Sequence, residues 1–173
     1  MATNLEFIKS VDITSSQSST SIDNIFSDKY DVYKVVLSGI KTVGTDSVSL
    51  DMRLLDSTGT IITSSNYDWA YLDMNAGSSF VESRNTTATA FVRITAIDNP
   101  DSGNTVMYFY NPYDSSSYTF TQWQSASYFS GVMEGYKAIG VHHSAETIRG
   151  IHLVELVGTR PYDTGKISVY GVK

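Results

Sequence analysis

The clearest hydrophobic pattern in the chain lies in residues 47–54, where apolar and polar side chains alternate. Val48, Leu50, Met52 and Leu54 occupy every second position, and polar residues stand between them. Because successive side chains of a β-strand point to opposite faces of its sheet, this period of two predicts a strand with one buried and one solvent-facing side.

Residues 30–37 carry apolar side chains at both odd and even positions. Val32 and Val36 fall on one face of a strand, while Tyr33 and two further apolar residues fall on the other. A strand with apolar side chains on both faces is typical of a position inside a sheet. We therefore expect a central strand that is covered on both sides.

Further short segments are rich in β-branched and aromatic residues, as strands are. These candidate strands are Leu5–Ile13 and residues 61–64, 67–72, 90–97, 105–110, 117–123, 136–141, 150–156 and 166–172. Turn-forming residues separate many of them, and no long segment has the apolar spacing of an amphipathic helix. Residues 144–149 could form a single helical turn. The pattern predicts an all-β protein with little or no helix, built as an antiparallel β-sandwich or barrel.

The two ends of the chain are predicted to belong to this architecture. Residues 14–20 are rich in Ser and Thr, so they form either a flexible linker or a surface loop. We favour the loop because apolar residues flank it on both sides. Residues 1–21 are then an N-terminal strand or arm of the same domain, and residues 22–173 form the sandwich. Residues 166–172 are predicted to pair with a strand from early in the chain.

Composition narrows the classes of function. The chain has no cysteine, which excludes disulfides and thiolate metal sites. Its net charge is −6 and its lysines and arginines are scattered, which disfavours nucleic acid as a partner. No segment approaches the roughly 20 apolar residues of a membrane span, and the N-terminus lacks the apolar segment of a signal peptide. We therefore expect that the chain does not insert into a membrane and that it assembles in a cytoplasm.

Catalytic and metal-binding signals are weak. The three histidines, His142, His143 and His152, lack the strand-turn-helix context of a nucleophile elbow, and we expect them in loops and on strand surfaces. His142, Glu146 and His152 carry metal-ligating groups, but their spacing matches no helical zinc motif. We expect neither a catalytic site nor a bound metal or cofactor.

A calcium site is a further alternative. Asp98, Asp101 and Asn104 supply hard oxygen atoms, but they lack the residue order and the closing Glu of an EF-hand. Because Asp, Asn, Pro and Gly together are typical of turns, we interpret this segment as a turn.

Aromatic residues are the more informative candidates for ligand binding. Tyr67, Trp69 and Tyr71 share one strand face, where a row of rings could stack on sugars or fill the core, and we favour the core. Tyr113 and Asp114 lie in a turn-like segment whose composition is typical of recognition loops. The candidate ligand-binding residues are therefore Tyr113, Asp114 and Trp69.

Four segments carry a resemblance to a known class of proteins: residues 28–38, 49–54, 67–70 and 165–172. They resemble a module of virion structural proteins from tailed phages, notably phages of cyanobacteria, and the similarity runs from about residue 22 to the end of the chain. The resemblance implies a jelly-roll-like sandwich on the outside of the particle, as head decoration, head fibre, tail fibre or baseplate. It also implies trimeric assembly, and it brings no catalytic residues.

Two functions follow as expectations. The first is a non-enzymatic virion structural protein that decorates the capsid or belongs to a tail fibre, with other virion proteins and copies of itself as partners. The alternative is a carbohydrate-recognising, receptor-binding module for host attachment, with a host surface glycan as its ligand. A small hydrolase is a weaker third interpretation, since five scattered glutamates offer no diagnostic pair.

Overall fold

The computed structural model describes residues 4–44, 47–156 and 160–173. These residues form strands and loops without a helix, so none of them belongs to a helix that could cross a membrane. The strands are β1 (Leu5–Ile13), β2 (Ser19–Ile22), β3 (Val32–Thr42), β4 (Val48–Leu55), β5 (Tyr67–Asn75), β6 (Val81–Ala88), β7 (Phe91–Ile97), β8 (Gly103–Tyr110), β9 (Thr119–Phe129), β10 (Val132–His142), β11 (Gly150–Val154) and β12 (Tyr162–Val172).

The strands form two antiparallel sheets that pack as a sandwich. The large sheet has eight strands in the order β1-β12-β3-β8-β9-β10-β5-β6, and the small sheet has four in the order β2-β11-β4-β7. The predicted all-β, antiparallel sandwich is confirmed. The N-terminal strands join both sheets, because β1 pairs with β12 and β2 pairs with β11.

The core lies between the two sheets, and strand alternation explains how the sequence fills it. In β4, the predicted inward residues Val48, Leu50, Met52 and Leu54 are all buried. Facing residues of the large sheet are also buried, and they include large rings such as Phe109. Burial of these apolar surfaces supplies the main driving force for the fold.

Strand β3 lies inside the large sheet between β12 and β8, which confirms its predicted central position. Its inward residues Tyr33, Val35 and Leu37 are buried. The expected cover on the second face is wrong, because Val32 and Val36 are only half-buried on the outer face. The small sheet covers only the inner face of the large sheet, and neighbouring side chains shield these valines in part.

Several predicted boundaries need correction. Residues 61–64 form no strand, since the pairing there is limited to one isolated bridge between Ile61 and Leu55. Residues 144–149 form no helical turn. Strands β2 and β6 were not predicted, since each is short of apolar residues and lies at a sheet edge, where pairing with a neighbour holds it in place.

A bulge in β7 supplies a hydrogen-bond donor to a buried carboxyl group of the small sheet. The pairing of β4 with β7 shifts between Leu50 and Met52, and Arg93 has a φ of 57° at this point. The Arg93 N–H, which the bulge frees, donates to Asp51 Oδ1 at 3.1 Å. Burial raises the pKa of Asp51 to about 7, and the nearby Glu155 carboxylate adds to the rise while the Arg93 N–H opposes it.

Candidate functional site

A groove of about 760 Å³ crosses the outer face of the large sheet, over strands β8, β9, β10, β5 and β6. This is the face that points away from the core, because alternate residues of the same strands are buried on the other side. A concave surface of this size is the usual setting of a ligand site.

Strand register places one row of side chains across the groove. Tyr108 lies opposite Gln122, Gln122 opposite Ile139, Ile139 opposite Ala70, and Ala70 opposite Arg84. Adjacent strands are about 4.8 Å apart, so this first row is roughly 19 Å long. It offers an aromatic ring, an amide, an exposed apolar side chain and a guanidinium.

A second row runs beside the first, two residues further along each strand. Val106 lies opposite Gln124, Gln124 opposite Lys137, Lys137 opposite Leu72, and Leu72 opposite Glu82. The two rows place Gln122 and Gln124 side by side on β9, where both face the groove. A pair of amides can donate and accept hydrogen bonds at the same time, as neighbouring sugar hydroxyls require.

The polar side chains of the two rows are free to meet a ligand. None of them makes a hydrogen bond or an ion pair with another residue in the described part of the chain; they are Arg84, Glu82, Tyr108, Gln122, Gln124 and Lys137. Glu82 is the one carboxylate among the described residues that line the groove. Two facing carboxylates, which glycoside cleavage uses, are therefore not brought together in this groove.

Trp69 lies on the other face of β5, away from the groove. Its ring stacks on Tyr71 with centroids 5.4 Å apart and planes 15° from parallel. Tyr67, on the same face, is fully buried and meets Phe91 edge to face at 4.9 Å. The three rings share one face as predicted, with Tyr67 inside the core and Trp69 and Tyr71 packed against it.

Tyr113 and Asp114 lie at a different place from both Trp69 and the groove. Tyr113 is 40% exposed and lines a separate pocket of about 270 Å³ together with Arg149. Asp114 Oδ1 accepts hydrogen bonds from the Ser116 N–H at 2.8 Å and from the Ser116 hydroxyl at 2.7 Å. These bonds lower the pKa of Asp114 and hold its carboxylate in a turn.

The histidines do not assemble into a site. His142 is fully buried, so its expected place on the surface is wrong, and its Nε2 contacts Glu146 Oε1 at 2.9 Å. His152 is also buried, and its Nδ1 shares a hydrogen bond with the Ser21 hydroxyl at 2.8 Å. The described residues contain no group of three or more His, Asp or Glu that could hold a metal ion.

Two of the three residues considered as calcium ligands, Asp98 and Asn104, accept hydrogen bonds from the backbone. The two carboxylate oxygens of Asp98 accept hydrogen bonds from the N–H groups of Asn99 and Ser130, at 2.8 and 2.9 Å. Asn104 Oδ1 accepts from the Gly39 N–H at 2.9 Å. These side chains therefore act as turn and loop anchors.

Sequence reasoning missed the residues of the groove. A signal was present in residues 119–129, where Gln122 and Gln124 alternate with the buried Thr121, Trp123 and Ser125. The outward side of β9 thus carries two neighbouring amides, and that of β8 carries Tyr108. What the sequence lacks is the strand order that sets β8, β9, β10 and β5 side by side.

Comparison with known proteins identifies no family. No family model and no curated protein matches the chain. Among solved structures, a fructofuranosidase from Schwanniomyces occidentalis complexed with fructosylnystose has a TM-score of 0.30 at 7% identity, over all of this chain and 35% of that one. The CBM2 module of the evolved Dit of Lactobacillus casei BL23 phage J-1 has a TM-score of 0.25 at 13% identity, over 90% of this chain and 69% of that one.

The VP2 subviral particle of infectious bursal disease virus has a TM-score of 0.20 at 10% identity, over 97% of this chain and 41% of that one. The chain thus spans well under half the length of the fructofuranosidase and of the viral protein. At TM-scores this low, the three similarities carry no argument about function.

Proposed function

We propose that this chain is a non-catalytic carbohydrate-recognition module, and that an extended glycan lies in the groove on the outer face of the large sheet. The observation that carries the proposal is the pair of registered rows, in which every polar side chain lacks an internal partner. A groove that crosses five strands suits an oligosaccharide better than a single sugar.

The chemistry of the rows fits sugar recognition. The Tyr108 ring offers a flat apolar surface for the C–H face of a sugar, and its hydroxyl remains free for a hydrogen bond. Gln122 and Gln124 offer paired donors and acceptors for hydroxyl groups. Rigid strands rather than loops carry these side chains, so little conformational entropy is lost when a ligand binds.

Substitution of Tyr108 tests this function. We expect Tyr108→Ala to weaken glycan binding at least about tenfold, equivalent to about 1.4 kcal/mol, without loss of folding. The measurement is a glycan-array screen with the full chain, followed by calorimetric titration of the best ligand. Tyr113→Ala is the matched control, because Tyr113 is exposed but lies in the other pocket. Loss of binding in Tyr113→Ala alone would move the site to that pocket.

A second proposal is that the module works as a surface component of a tailed-phage virion. Exposed apolar side chains flank the groove on the same sheet face, with Leu5 and Phe7 at the β1 edge and Tyr128 and Met133 at the far ends of β9 and β10. Exposed apolar patches are typical of surfaces that contact other subunits. The resemblance of the strand sequences to virion modules points the same way. The proposal includes a homotrimer of this chain that contacts other virion proteins.

Electron microscopy tests the virion proposal. We expect gold-labelled antibody against the recombinant chain to decorate intact particles of the source phage. Label on the head indicates a decoration protein, and label on the tail indicates a role in host attachment. Well-preserved particles that carry no label would contradict a place in the virion while leaving carbohydrate binding open.

A further inference from the structure

Most lysine and arginine side chains of this protein bond to other residues, and a few do not. Among the twelve lysines and arginines, all of which the structure describes, four make no side-chain hydrogen bond or ion pair: Lys34, Lys41, Arg84 and Lys137. Three of these four, Lys34, Arg84 and Lys137, stand in or beside the groove.

Strand register fixes where these three charges lie. Lys34 on β3 is opposite Tyr108, so it extends the first row by one strand beyond the ring. Arg84 closes the other end of that row, five strand spacings away, or about 24 Å. Lys137 stands between them in the second row, opposite Gln124.

Five of the other nine cations form ion pairs with carboxylates of the chain. The Glu6 carboxylate contacts both Lys29 and Lys173, and the Asp12 carboxylate contacts Lys166. Two further carboxylates contact Arg149 and Arg160. The chain as a whole has a net charge of −6. A positively charged strip on an acidic protein is therefore a local feature, and it coincides with the groove.

From this distribution we infer that the groove selects anionic glycans, that is, oligosaccharides that carry carboxylate, sulfate or phosphate groups. The inference rests on the proposed carbohydrate binding. Unpaired cations beside a low-dielectric sheet surface attract anions more strongly than the same charges in open water. Glu82 offsets these charges only in part, because it lies two residues from Arg84 on β6 but two strands, about 10 Å, from Lys137.

A glycan fits this charge pattern better than a nucleic acid. Phosphate backbones are bound by dense clusters of Lys and Arg, whereas here three charges are spread over about 24 Å. Single-stranded nucleic acids are also bound by several stacked aromatic rings. The two outward-facing rows of the groove carry one ring, Tyr108, because Trp123 is buried and Tyr71 stacks on Trp69 on the opposite face. The spacing suits a polymer that carries a charge on some of its units.

The test compares matched pairs of oligosaccharides on the full chain. The probes are oligogalacturonate and its methyl ester, chondroitin with and without sulfate, and mannan with and without phosphate. We expect at least one anionic member to bind at least about tenfold more tightly than its neutral partner at low salt, and this preference to shrink at high salt. The pair of oligosaccharides that shows the preference identifies the anionic group that the groove selects.

Two variants locate the effect. The double variant Arg84→Met with Lys137→Met should remove the preference, so that the anionic and the neutral member of each pair bind with equal affinity. Lys41→Met is the matched control, because Lys41 is also unpaired but lies seven residues from Lys34, towards the end of β3, and outside the groove. It removes a positive charge without touching the groove and should leave the preference unchanged.

The outcomes separate this inference from the function on which it rests. Equal binding of neutral and anionic members, lost in Tyr108→Ala, would overturn anion selection and support carbohydrate recognition. An equal effect of Lys41→Met would also overturn it, because the preference would then reflect overall charge. Single-stranded DNA that binds as tightly as the anionic oligosaccharide would overturn selection of a glycan. Failure of every oligosaccharide to bind would overturn the proposed function and this inference together.

Discussion

Asp51→Asn is expected to stabilise this protein at neutral and alkaline pH, by up to about 4 kcal/mol near pH 8. Asp51 is buried, with 5% of its surface exposed, and burial raises the pKa of its carboxyl group to about 7. An asparagine has the same shape, stays uncharged, and keeps an oxygen that can accept the hydrogen bond from the Arg93 N–H.

The sign follows from proton linkage. Between the ordinary pKa of 3.8 and the raised value of about 7, the folded chain keeps a proton on Asp51 that the unfolded chain has lost. Each pH unit in this window therefore favours the unfolded state by up to about 1.4 kcal/mol. The stability that protonated Asp51 provides is complete below about pH 4 and lost as pH rises through about 7. The variant should thus match the wild-type protein at low pH and exceed it above.

Urea unfolding of both proteins from about pH 4 to pH 8 provides the measurement. Asp114→Asn is the control, because Asp114 is an exposed aspartate whose pKa is lowered by its bonds to Ser116. That substitution should give no gain at any pH. A pH-independent difference between wild type and Asp51→Asn would contradict burial as the source of the raised pKa.

Much of the fold could be predicted from strand patterns. The alternation in residues 47–54 correctly gives the buried face of β4, from Val48 to Leu54, because a period of two has one structural meaning when its apolar set is complete. The pairing of the last strand with an early one is also confirmed, since β12 lies between β1 and β3. Local sequence is enough where one strand alone decides which side faces the core.

The edge strands could not be predicted in this way. β6 has the sequence VESRNTTA and is exposed over most of its length, so it buries no regular apolar set. Its conformation depends on backbone pairing with β5, from Tyr67 opposite Ala88 to Asp73 opposite Val81. Since that pairing partner is not encoded in the strand's own pattern, periodicity gives no signal.

The groove could be predicted only in part for the same reason. Its side chains come from segments as far apart as Arg84 on β6 and Lys137 on β10, which only the strand order brings together. Trp69 is a candidate ligand-binding residue by its type, because it is large and aromatic. It lies, however, on the face of β5 opposite to Ala70 and Leu72, which line the groove. Tyr113 and Asp114 stay predictions as ligand-binding residues, and Tyr113 lines a pocket separate from the groove.

His142 shows where residue type alone misleads. Histidine is often found at the surface, yet this one ends β10 on the inward parity and is fully buried. Its ring packs on Tyr67 with centroids 5.0 Å apart, and Glu146 from the following loop satisfies one nitrogen. Parity along β10 would have given its position, because Tyr136 and Ala138 point the same way.

Tyr67→Phe is expected to reduce the free energy of unfolding by about 2–4 kcal/mol. The Tyr67 hydroxyl accepts a hydrogen bond from the Leu54 N–H and donates one to the Ile62 carbonyl, each at 3.0 Å. It thereby ties β4 to the segment that leads into β5, in a place that water does not reach. Phenylalanine keeps the ring contacts but leaves one buried donor and one buried acceptor without this partner, at about 1–3 kcal/mol each.

Tyr108→Phe is the matched control for this experiment, since it removes a hydroxyl that bonds to no described residue on the exposed face of the same sheet. Its effect on stability should stay within about 0.5 kcal/mol. Chemical denaturation of the two variants beside the wild-type protein gives both values. A loss of less than about 0.5 kcal/mol in Tyr67→Phe would mean that the two backbone groups find other partners, and that the hydroxyl does not hold the sheets together at this point.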